Sequence, residues 1–107
     1  MSKFFLEKET FRVEFPDGQW CDIKEEMTQA DSDFIINKMT KAKYKDVDMD
    51  LGKQSLLERM IVDWSFTDGN KIPVNPENIS NLRTKYRAMI LKEIDRVVTE
   101  SQEFSKN

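Results

Sequence analysis

The sequence predicts an α+β fold in which an N-terminal β-hairpin, a small antiparallel sheet, is packed by three to four α-helices. Three observations carry this expectation. Residues 10–15, TFRVEF, alternate apolar and polar side chains, the period of a strand. FPDGQ follows at once, where Pro16 presets the first central position of a turn and Gly18 can adopt the left-handed conformation of a bulged hairpin. From Leu51 onward apolar residues recur at three and four, the period of a helix. At 107 residues the chain makes a single domain, 1–107, because smaller halves would bury too little surface to hold together. With 38% hydrophobic and 35% charged residues, it is expected to close a core beneath a charged surface.

The hairpin spans about residues 10–24, with WCDI as its returning strand. In the register set by the turn, Cys21 and Ile23 fall beside Val13 and Phe11 on the core face, and Trp20 projects to the opposite face near Arg12 and Glu14. A helix begins after Thr28, since T-x-x-D at residues 28–31 is a capping box, and Phe34, Ile35 and Met39 give it an apolar side. Residues 41–50, KAKYKDVDMD, set lysines before aspartates with few large apolar groups, the pattern of a mobile connection.

The helical part covers about residues 51–104. Leu57, Met60, Ile61 and Trp64 line one side of a helix that carries Trp64 at its inner end. Asn75-Pro76 starts a further helix, Asn as cap and Pro at the first helical position. Ile79, Leu82, Tyr86, Met89, Ile90, Ile94, Val97 and Val98 continue it, with a break over residues 80–84 and Thr84 as a second cap. Met60 and Met89 are expected as core filler.

Composition narrows the function. A net charge of −3 and a pI near 5.0 lack the basic surplus with which duplex binders displace counterions, so nucleic acid is not the expected partner. Arg83, Lys85, Arg87, Lys92 and Arg96 make the last helix locally basic, with Arg83 and Arg87 one turn apart, but acidic residues interspersed among them nearly cancel the charge. The lone Cys21 and the absence of histidine exclude an internal disulfide and the common zinc sites. DVDMDLG, residues 46–52, has the early spacing of a calcium loop, but its glycine comes one place late and Leu57 stands where a bidentate Glu is required. No histidine-activated nucleophile and no glycine-rich phosphate loop can be assembled, so no catalytic, cofactor or metal residues are assigned and an enzyme is not expected. The apolar run near the N-terminus, FFL, falls short of an export signal, and no run approaches a membrane span; the expectation is a cytoplasmic protein without a membrane partner.

The most informative stretch is WSFTDGNKIPVNPENI, residues 64–79. Thr67-Asp68-Gly69-Asn70 is a turn, Ile72 and Val74 are apolar pegs in an extended link, and Asn75-Pro76 restarts a helix. The stretch is therefore a structural joint with Trp64, Asp68, Gly69, Pro73 and Pro76 as its fixed points.

The same order of features, W-x-[FL]-x-D, then G-x-x-[IL]-P, then P-E-x-[IL]-x-x-L, occurs here as Trp64, Phe66, Asp68, Gly69, Ile72, Pro73, Pro76, Glu77, Ile79 and Leu82. It resembles the C-terminal half of the small tail assembly chaperones of long-tailed, siphovirus-like bacteriophages and prophages. The P-D-G-x-W turn, Pro16 to Trp20, followed by an acidic helix started by Thr28, is similar to their N-terminal half. One departure is that RTKY, after Leu82, lacks the proline often found there. The resemblance implies a non-enzymatic assembly factor in the host cell cytoplasm. It would bind the tape measure protein, keep that long helical chain soluble, recruit tail tube subunits, and leave before the virion is complete. Self-association is a further contact to consider. The alternative is another phage structural or adaptor protein, such as a head-tail joining or minor tail protein. A client surface needs apolar groups rimmed by charge; the candidates are Trp20, Tyr44, Met49 and Phe104, with Arg83 and Arg87 as the charged pair.

Overall fold

The computed structural model describes residues 9–106 apart from 42–48, and the side chains of residues 9–40 and 51–99. The hairpin forms as expected from strands β1 (Thr10–Glu14) and β2 (Trp20–Lys24). Its turn is closed by the N–H of Phe15 on Gln19 O at 2.9 Å and the N–H of Gly18 on Phe15 O at 3.0 Å, with Gly18 at φ +88°. Phe11 stands opposite Ile23 and Val13 opposite Cys21, the expected register. Cys21 and Ile23 are fully buried, whereas Phe11, at the outer end, stays 38% exposed.

Helix α1 (Gln29–Lys41) starts where the capping box demands: the Thr28 N–H donates to Asp31 Oδ2 at 3.0 Å, and the Asp31 N–H to Thr28 Oγ1 at 3.2 Å. Phe34, Ile35 and Met39 are half-buried on its inner side, while Ile36 faces solvent. The connection expected over residues 41–50 falls largely on 42–48, outside the described residues; Lys41 closes α1 and Met49 opens α2 (Met49–Met60). The two helices pack together. The approach is close at Gly52, where a Cβ would lie 2.8 Å from Met39 Cγ and Sδ.

The helix expected to carry Trp64 ends at Met60. Residues 61–64 are instead strand β3 (Ile61–Trp64), antiparallel to β2. Cys21 pairs with Trp64, Asp22 with Asp63, and Ile23 with Ile61, so Val62 is the extra residue of a bulge. That bulge explains the misreading. In a regular strand, residues three apart face opposite ways; the inserted Val62 turns both Ile61 and Trp64 inward, and their spacing then imitates a helix. Among the described residues the result is a three-stranded sheet in the order β1-β2-β3.

Beyond it, β4 (Thr67–Asp68) and β5 (Asn70–Lys71) form a minimal hairpin around Gly69 at φ +77°. Helix α3 (Pro76–Ser80) is capped by Asn75, whose side chain accepts the Asn78 N–H at 2.8 Å, with Pro76 at the first helical position. The expected break follows, and α4 (Thr84–Lys106) completes the described chain. Thr84 is the first helical residue rather than the cap: Arg83 O accepts the N–H groups of Tyr86 and Arg87, both at 3.1 Å. Met89 is also not core filler. Ile90, Ile94 and Val97 occupy the inner side of α4, and Met89, turned about 100° from Ile90, is 36% exposed.

One continuous core joins Val13 and Phe15, Cys21 and Ile23, Leu57 and Met60, Ile61 and Trp64, Ile79, and the inner side of α4. Among the described residues no helix is long and apolar enough to cross a membrane.

Candidate docking cleft at the joint

The joint begins with Trp64. Its position at the end of β3 directs the indole into the core, where it is 1% exposed and its Nε1–H donates to Ile72 O at 2.7 Å. That bond fixes the return of the chain after Gly69, and the Ile72 N–H on Phe66 O at 3.1 Å fixes it a second time. Phe66 is thereby held against Trp64, with ring centroids 5.4 Å apart, and against Tyr86 of α4 at 5.0 Å. Phe15 of the first turn completes the aromatic group, edge-on to Tyr86 at 4.8 Å. Such pairs add about 0.5–1.5 kcal/mol each beyond area burial.

The rings of Trp64, Phe66 and Tyr86 floor an open cleft of about 420 Å³, with Ile72 and Leu82 on its walls. Its rim is polar: Gln19 arrives from the first hairpin, Asn78 and Asn81 from α3 and its end, and Arg83 from the start of α4. Gln19 and Asn78 are held by hydrogen bonds. Gln19 Oε1 accepts the Ser65 hydroxyl at 2.6 Å, and Ser65 Oγ in turn accepts the Trp20 N–H at 2.8 Å, so β3 and the hairpin are tied beneath the rim. Asn78 Nδ2 donates to Pro73 O at 2.8 Å. The Tyr86 hydroxyl donates to Asp17. This bond holds the Asp17 carboxyl below its usual range and pushes the Tyr86 phenol up, so near neutral pH the pair is a carboxylate and a neutral phenol.

Chemically, the arrangement offers an apolar recess ringed by amide and guanidinium donors, the makeup of a recognition site. Among the described residues no cluster of His, Cys, Asp and Glu is suited to hold a metal ion.

The expected joint residues are brought together, although around a strand end rather than a helix end. Gly69 makes the turn beside exposed Asp68, Pro73 lends its carbonyl to Asn78, and Pro76 opens α3. Of the expected client contacts among the described residues, Arg83 alone lines the cleft. Trp20 lies on the outer face of the sheet, half-buried beneath the Arg12 guanidinium at 3.7 Å, while Arg12 bonds Asp22 at 2.8 and 3.1 Å. Arg87 is half-buried, with an Nε that has no hydrogen-bond partner among the described residues. Tyr44 and the side chains of Met49 and Phe104 lie outside the described residues. Sequence reasoning missed Gln19, Thr67, Asn78 and Asn81. Gln19 could not have been found from local pattern, since its partner Ser65 is 46 residues away. Asn78, in the middle of one short helix, and Asn81, its C-cap three residues on, were a usable signal for a shared side.

No protein-family model matches this chain, and no curated protein or solved structure matches it.

Proposed function

We propose that this protein is a non-enzymatic tail assembly chaperone of a long-tailed bacteriophage or prophage, binding the tape measure protein and recruiting tail tube subunits in the host cytoplasm. The observation that carries the reading is a convergence. Trp64, Phe66, Ile72 and Leu82, four positions of the resemblance, all line one cleft. A helical, hydrophobic client needs such a recess for an apolar anchor, and polar rim groups to exclude competing partners. Arg83, exposed on the rim, suits a carboxylate flanking that anchor on the client helix. Trp20, on the far face of the sheet, lies outside the cleft and is kept as a candidate second partner contact.

Co-expression with overlapping tape measure segments tests this. The expected result is that one or more segments become soluble and co-purify with the chaperone. Thr67→Arg at the exposed mouth should abolish capture while leaving the circular dichroism unchanged. Segments that stay insoluble, or capture untouched by Thr67→Arg, would overturn the assignment. Stoichiometric retention in purified virions would move the protein to the structural class of head-tail joining or minor tail proteins.

A further inference from the structure

Among the described residues strand β1 has a neighbour on one side only. Its register decides which backbone groups are spare. The Glu25 N–H donates to Glu9 O and the Phe15 N–H to Gln19 O, so the odd-numbered residues of this segment bond toward β2. By the alternation of an antiparallel ladder, Thr10, Arg12 and Glu14 direct their N–H and C=O groups outward. Along this edge runs a second groove of about 380 Å³, lined by residues 11–14 and by Met89, Lys92 and Glu93 of α4. Phe11 and Met89, the large apolar groups at its border, are both exposed. An edge left unpaired by the described residues, beside exposed apolar side chains, is a template for another strand.

We propose that this edge pairs with the same edge of a second copy of the chain, antiparallel, about a two-fold axis through Val13. Charge selects this occupant. In this register Arg12 faces the second copy's Glu14, and Glu14 faces the second copy's Arg12. Both are outward-directed positions, so each facing pair exchanges its backbone bonds and sets opposite charges together. A register about Arg12 would oppose two guanidinium groups and is disfavoured. The groups are available: the Glu14 side chain makes no hydrogen bond or ion pair among the described residues, and Arg12 spends only Nε and one terminal nitrogen on Asp22. On the core side Phe11 falls opposite the second copy's position 15, whose ring stays in its own core, and the two α4 walls, each led by Met89, are brought alongside. The contact is isologous and closed, so it ends at a dimer.

Light scattering coupled to size exclusion tests the proposal. The full chain should have about twice its 12.7 kDa mass. Glu14→Lys, which sets a cation against Arg12, and Met89→Arg, on the helical wall, should each return the mass to 12.7 kDa with unchanged circular dichroism. Mixing Arg12→Cys with Glu14→Cys should give a disulfide between the two variants, and neither alone should cross-link; buried Cys21 does not interfere. A monomeric parent overturns the proposal, as does a dimer that both substitutions leave intact. Cross-linking by Arg12→Cys alone overturns the register. A monomer that dimerises only after removal of residues 1–8 assigns the edge to that segment and overturns it too.

Discussion

Asp31 is fully buried yet carries a charge. Burial alone would push its carboxyl up, but Lys24 Nζ at 2.9 and 3.1 Å, the Thr28 N–H at 3.0 Å and Arg59 Nε at 2.8 Å more than reverse this and hold it below its ordinary value of 3.8. One carboxylate thus ties the end of β2 and α2 to the start of α1. Because the folded value lies below the unfolded one, this stabilisation is full above 3.8 and disappears as pH falls through the lower folded value. Asp31→Asn is expected to cost about 2 kcal/mol near neutral pH, the scale of charge-assisted hydrogen bonds. Urea unfolding should show the gap from the parent closing below pH 3.8, and a gap unchanged in acid contradicts this reading. The capping role of Asp31 was legible, since Thr28 is three residues away. Its role as an ionic hub was not, because Lys24 and Arg59 lie 7 and 28 residues off and no local period connects them.

Elements were legible where local chemistry and burial agree. The first hairpin has both an alternating strand and a Pro-Asp-Gly turn, and α1 and α3 have caps that act on adjacent amides. β3 was hidden because one bulged residue gave Ile61 and Trp64 a helical spacing, and because α2 passes into β3 without an intervening loop. The packing of α1 on α2 yields a prediction. Gly52 looked like a misplaced calcium-loop glycine; its place is explained by the Met39 side chain seated against it. Gly52→Ala should be nearly neutral, as a helix-propensity gain of about 1 kcal/mol offsets the displacement of Met39. Gly52→Val should lose about 1–3 kcal/mol by overpacking, and Met39→Ala should restore part of that loss. Additive effects of the two substitutions in chemical denaturation would show that the helices do not close here.

At the scale of the molecule, the sheet, α3 and α4 enclose one core, with Cys21 on the central strand β2, 0% exposed. Burial is the first cause that pushes its thiol up to about 12, with Asp22 and Asp63 adding to it. A thiol reagent at mildly alkaline pH should therefore leave the native protein unmodified and react at a rate set by global unfolding; rapid labelling without denaturant would contradict a closed core. The cleft belongs to this scale as well, because its floor and rim come from the first turn, the joint and α4. The sequence made the joint visible without revealing that Gln19 crosses to meet it. Nitrogen-edited NMR during titration with a soluble tape measure segment addresses the docking assignment most directly. The side-chain amides of Gln19, Asn78 and Asn81 and the indole N–H of Trp64 should shift together and saturate. Shifts confined to Trp20 and the outer face of the sheet, with the cleft signals unmoved, would contradict it.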